Sequence, residues 1–96
     1  MQHAASNRAI RVVVQHTKQH NGWSYRLIAY DDDRTYVPVD FATISTLVSR
    51  LRLVAPHFGQ SYVAIDEEAD HSYIAFSADW QLDDAQLRVL GLSPPA

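Results

Sequence analysis

The chain has 96 residues, 47% of them apolar and 20% charged, which allows one domain of about 100 residues with its own core. A formal net charge of -3 at this apolar content argues against intrinsic disorder, and the absence of cysteine excludes disulfide scaffolds, thiolate zinc sites and cysteine nucleophiles. With 11 acidic residues against 8 basic ones, general binding to duplex nucleic acid by counterion release is disfavoured.

Residues Met1 to Ala9 lack the basic end and apolar run of a secretory signal. The longest apolar runs, such as Val12–Val14 and Leu27–Tyr30, fall far short of the roughly 20 residues that span a bilayer, so a cytoplasmic protein without a membrane segment is expected. The domain is expected to fill 1–96, with flexible tails at 1–7 and 93–96.

Ile10, Val12, Val14 and His16 alternate with Arg11, Val13 and Gln15, a period of two that predicts a strand. After a polar loop, Thr17 to Gly22, a second alternation sets Trp23, Tyr25, Leu27 and Ala29 against Ser24, Arg26, Ile28 and Tyr30. Pairing His16 with Trp23, Val14 with Tyr25, Val12 with Leu27 and Ile10 with Ala29 puts both apolar sets on one side. Asp31 to Arg34 is a polar turn. Tyr36 to Val39 reads as a short third strand, which Pro38 confines to an edge or a strand end.

Asp40 is the expected N-cap of a helix of about 15 residues, with Phe41, Ile44, Leu47, Val48, Leu51 and Val54 on one stripe, a Val39–Ile44 staple, and Pro56 as its stop. Tyr62–Asp66 and Ser72–Ala78 are predicted to form a second hairpin around Glu67–Asp70. In it Asp66 stands opposite His71, and the core pairs are Val63 with Ile74 and Ser61 with Phe76. The last helix, Asp84 to about Leu90, has an Asp83/Gln86 capping box, Leu82 and Leu87 at staple positions, and Gly91 at a left-handed C-cap with Leu92 closing back on Leu87. The order β-β-β-α-β-β-α gives a two-layer α+β domain: a mostly antiparallel sheet of about five strands with two helices on one face.

The string Leu27-Ile28-Ala29-Tyr30-Asp31-Asp32-Asp33-Arg34-Thr35 resembles the D-x-D-x-T nucleophile motif of haloacid dehalogenase-like phosphatases. That resemblance implies Asp31 as nucleophile, Asp33 as acid/base, and both as magnesium ligands. It stops after these residues: the one lysine, Lys18, precedes the motif, and a chain of 96 residues has no room for the doubly wound parallel sheet of that family. A solvated acidic turn is therefore expected. His16 and His20 have a metal-helix spacing but fall on a strand end and in a loop, and Glu67, Glu68 and Asp70 lack the ligand spacing of a calcium loop. Asp66 and His71 form a candidate carboxylate–imidazole pair, but Ser72 beside them points to the opposite face and makes no triad. No metal, cofactor or catalytic residue is assigned.

In these registers the sheet face turned away from the helices carries Arg11, Val13, Arg26, Ile28, Tyr30, Tyr36, Tyr62, His71 and Tyr73. Tyrosine and arginine are enriched in interface hot spots. The expectation is a non-catalytic interaction module that buries this face against a second copy or another protein. The alternatives are single-stranded nucleic-acid or nucleotide binding by the same tyrosines and arginines, and a small ligand-binding or enzyme cup lined by His16, Trp23 and Tyr25.

Overall fold

The computed structural model describes residues 7–19 and 22–94; of the expected tails at 1–7 and 93–96, residues 1–6 and 95–96 lie outside the described residues, as does His20, while Ser93 accepts from Val37 N–H at 2.9 Å. Strand β1 (Arg8–Gln19) pairs antiparallel with β2 (Gly22–Tyr30) on one side and with β4 (Tyr73–Leu82) on the other, while β3 (Val39–Phe41) flanks β2. The result is an open, all-antiparallel sheet of four strands in the order β3-β2-β1-β4. Helices α1 (Ile44–Leu51) and α2 (Asp84–Val89) complete an α+β fold.

The alternations place Ile10, Val12, Val14, Leu27 and Ala29 on one face of the sheet, and these five pack into one cluster with Leu47, Val48 and Leu51 of α1 and Leu87 of α2. The pairing differs from the expected one by two residues: His16 faces Tyr25, Val14 faces Leu27 and Val12 faces Ala29. A two-residue shift leaves every side chain on its face, so the core survives the error. Pairing also extends through Thr17–Ser24 and Lys18–Trp23 to Gln19–Gly22, where the sequence reading expected a loop.

Three expectations are corrected. First, Asp40 belongs to β3 and its carboxylate holds Arg26, with bonds of 2.8 and 3.1 Å. Thr43 caps α1 in its place, its hydroxyl accepting from Thr46 N–H at 3.3 Å, and the Val39–Ile44 staple loses its positions. The helix then ends at Leu51, and turns continue to Ala55, whose N–H donates to Leu51 O at 2.9 Å. Second, no fifth strand forms at Tyr62–Asp66. Gln60–Tyr62 is a 3-10 turn, and Asp66 N–H donates to the Tyr73 hydroxyl rather than to a strand. Of that hairpin, the bond from Ala64 N–H to Ala75 O (2.8 Å) remains. Val63 is buried, but Ile74 and Ser61 are exposed, so the pairs Val63–Ile74 and Ser61–Phe76 do not form.

Third, β4 carries a bulge. Phe76 faces Val14, yet Ile74 faces Gln15, which leaves Ala75 as an extra residue. One inserted residue reverses the alternation beyond it. Tyr73 therefore turns to the helix side beside His16, and Ile74 turns to the open side.

The last helix forms as its sequence signals: Asp83 accepts from Gln86 N–H at 2.8 Å while Gln86 accepts from Asp83 N–H at 3.0 Å. Gly91 adopts φ +86°, and Leu92 N–H returns to Leu87 O at 3.0 Å, which closes a Schellman turn.

Candidate functional site

Antiparallel partners share a face, so three rows can be read across the side of the sheet that carries no helix. They run Asp40–Arg26–Gln15–Ile74, then Ile28–Val13–Ser77, then Tyr30–Arg11–Asp79. The middle row is apolar at its centre: Val13 is only 8% exposed although, among the described residues, no helix or strand layer covers it. Ile74, at 64% exposure, extends the apolar surface towards β4.

The charged members of the outer rows are paired. Arg26 grips Asp40 with two bonds, which holds the Asp40 carboxyl below the usual carboxylate range and raises the guanidinium further. Arg11 stands 3.1 Å from Asp79. Both pairs are partly exposed and so contribute little to stability. Their consequence is that the face carries two cations and two anions around an apolar centre.

Five of the expected face residues come together here: Arg11, Val13, Arg26, Ile28 and Tyr30. The other four do not. Tyr36 is buried, since the chain folds back with Tyr36 N–H on Ala29 O at 2.9 Å, and its hydroxyl accepts from Arg8 at 2.6 Å. Tyr73 lies on the helix side because of the bulge. Tyr62 sits on the 3-10 turn, stacked against Phe58. His71 precedes β4 and pairs with Asp70 at 2.8 Å rather than with Asp66. The tyrosine stacking platform is therefore not formed, and both arginines already hold carboxylates.

Sequence reasoning missed Ile74, because a bulge has no sequence signal in a stretch such as Ile74-Ala75-Phe76. It also missed Asp40 and Asp79, whose charge complements Arg26 and Arg11 and which could have been found by asking what pairs with each arginine.

Two other clusters lie at opposite ends of the sheet. His16, Trp23 and Tyr25 do meet, with His16 stacked on Tyr25 at 4.4 Å and tilted against Trp23 at 4.4 Å. Those distances are ring contact, so the cluster is packed and leaves no cup between the rings. Burial pushes the His16 imidazole down from its ordinary value and the Tyr25 phenol up. At the opposite end of the sheet, Asp31 accepts from the N–H groups of Asp33 and Arg34 at 2.8 and 2.9 Å, with Arg8 at 3.5 Å. Those donors lower its pKa and occupy it as a turn former. A cleft of about 580 Å³ beside it is lined by Arg8, Arg11, Asp32, Asp33 and Asp79 among others. Among the described residues no group of three or more histidines or carboxylates is placed to hold a metal ion, and no helix is long and apolar enough to cross a membrane.

No protein-family model, no curated protein and no solved structure matches the chain.

Proposed function

We propose that the protein is a non-catalytic interaction module that self-associates by burying the open face of its sheet against the same face of a second copy, in the cytoplasm. The observation that carries this reading is the composition of the three rows: Val13, Ile28 and Ile74 form an aliphatic centre, and the charges around them cancel. A chain of net charge -3 would repel its own copy across an acidic surface, whereas this face presents none of that excess. A twofold contact requires a self-complementary patch, and an aliphatic centre ringed by ion pairs meets that requirement. Apolar burial at about 25 cal/mol per Å² over an interface of about 1,000 Å² or more sustains such a dimer after association costs.

Ile28→Asp tests the reading, because Ile28 lies in the middle row and outside the helix-side core. The expected result is a folded protein, by circular dichroism, that sediments at half the wild-type mass. A folded variant of unchanged mass overturns the proposal.

A further inference from the structure

The capping box that starts α2 and the Gly91 turn that ends it also shape a cavity on the helix side of the sheet. Leu87 and Arg88 follow Asp84 by three and four residues, so the three share one side of α2. Past the turn, Val37 N–H donates to Ser93 O at 2.9 Å, which ties the chain leaving α2 to the segment that runs from Arg34 to Val37. Between these two walls lies a cavity of about 200 Å³. Its inner lining is Tyr36, Leu87 and Leu92, all buried members of the core cluster, and Pro94 stands at its outer side.

The charges at this cavity differ from those on the open face. Arg34 and Arg88 are both exposed and both line it. Among the described residues neither has a carboxylate partner, whereas Arg8, Arg11 and Arg26 each have one. The Arg34 guanidinium lies 6.0 Å from the centre of the Tyr36 ring, over the apolar lining. Asp84 is the one carboxylate of the cavity, and its spacing allows a pair with Arg88, but Arg8 holds it at 3.0 Å. Asp32 and Asp33, beside Arg34 in the sequence, line the other cleft with Arg11. A chain of net charge -3 thus keeps two guanidiniums uncompensated above a buried apolar floor.

We propose that this cavity binds a small organic carboxylate, with its apolar body on Tyr36, Leu87 and Leu92 and its carboxylate held by Arg34 and Arg88. A guanidinium presents a planar fork of N–H donors that matches a carboxylate with two parallel bonds. An inorganic anion would satisfy the arginines and leave the apolar floor wet, and a hydrocarbon would do the reverse; an apolar lining with a few convergent polar groups selects a ligand that has both parts. The volume lies below the roughly 300 Å³ at which drug-sized ligands are held, which limits the ligand to about ten non-hydrogen atoms. Leu87 packs on the helix side and Ile28 lies on the open side, so this site is independent of self-association through the open face.

Phenylacetate is a probe of the right size, and 2-phenylacetamide is its uncharged counterpart of the same shape. Titrations followed at the methyl resonances of Leu87 and Leu92 are expected to give saturable binding of phenylacetate with a Kd of about 1 mM or tighter, which a ligand of this size can reach. The amide is expected to bind at least about tenfold more weakly, since it forfeits the charge-assisted bonds. Arg88→Met and Arg34→Met keep much of the side-chain length and remove the charge; each is expected to weaken phenylacetate at least about tenfold and to leave the amide unchanged. Ile28→Asp is expected to bind phenylacetate as the wild type does, which separates this site from the face contact. Equal binding of acid and amide overturns the proposal, as does undiminished phenylacetate binding in folded Arg88→Met and Arg34→Met, or inorganic phosphate that shifts the same methyls at equal or lower concentration. Should Arg34→Met not fold, Arg88→Met and the comparison of acid with amide decide.

Discussion

The Tyr73 hydroxyl lies 2.9 Å from His16 Nδ1 and 2.6 Å from the Asp66 N–H that donates to it. The hydroxyl accepts from Asp66 and bonds to Nδ1, as donor or as acceptor according to the imidazole tautomer. One hydroxyl thus links β1, β4 and the irregular segment that replaces the expected fifth strand. Tyr73→Phe removes both bonds and leaves a buried ring nitrogen and a backbone N–H to find water. A loss of about 1–3 kcal/mol in denaturant unfolding is expected, with faster exchange of the Asp66 amide.

The same pair makes stability pH-dependent. Burial holds the folded His16 pKa below its ordinary value near 6.5, so the unfolded chain takes up the proton first as pH falls. The His16 contribution is therefore complete above about pH 6.5 and is lost as pH falls from there towards the depressed folded value. His16→Gln is expected to flatten that part of the stability–pH curve. A slope unchanged by the substitution would mean that other groups produce it.

Asp83→Ala is expected to cost about 1 kcal/mol, since Asp83 accepts from Gln86 N–H at 2.8 Å at the start of α2. A shift in the denaturation midpoint at constant slope checks it.

Asp31→Ala removes the acceptor of two backbone N–H groups and a partner of Arg8, and an expected loss of about 1–2 kcal/mol should appear in unfolding. Asp31→Asn keeps one acceptor oxygen and is expected to lose less. Equal stability of all three forms would contradict the role of Asp31 as a turn former.

The legible parts of this molecule are those fixed by local chemistry. The alternation through Ile10, Val12 and Val14 and the capping signals around Asp83 and Gly91 are properties of short segments, and both appear in the structure as read. Register was not legible in the same way. A shift of two residues costs the face pattern nothing, and the Asn21-Gly22 dipeptide does not fix it either: read as a two-residue turn it sets His16 against Leu27, whereas His16 faces Tyr25. Asp40 misled because N-cap chemistry and ion-pair chemistry use the same carboxylate, and Arg26 across the strand claims it. The bulge at Ala75 had the largest effect on the site, exchanging Tyr73 for Ile74 on the open face, and nothing in the local sequence announces it.

Intermolecular NOEs between isotope-labelled and unlabelled copies, read at the methyl groups of Val13, Ile28 and Ile74, test the central claim most directly. In a mixed sample at about 100 μM, well above a micromolar dissociation constant, contacts from these methyls to the other copy are expected, and they should vanish in Ile28→Asp. Methyls that show no contact to another copy, in a protein that sediments as a monomer at that concentration, would contradict the account.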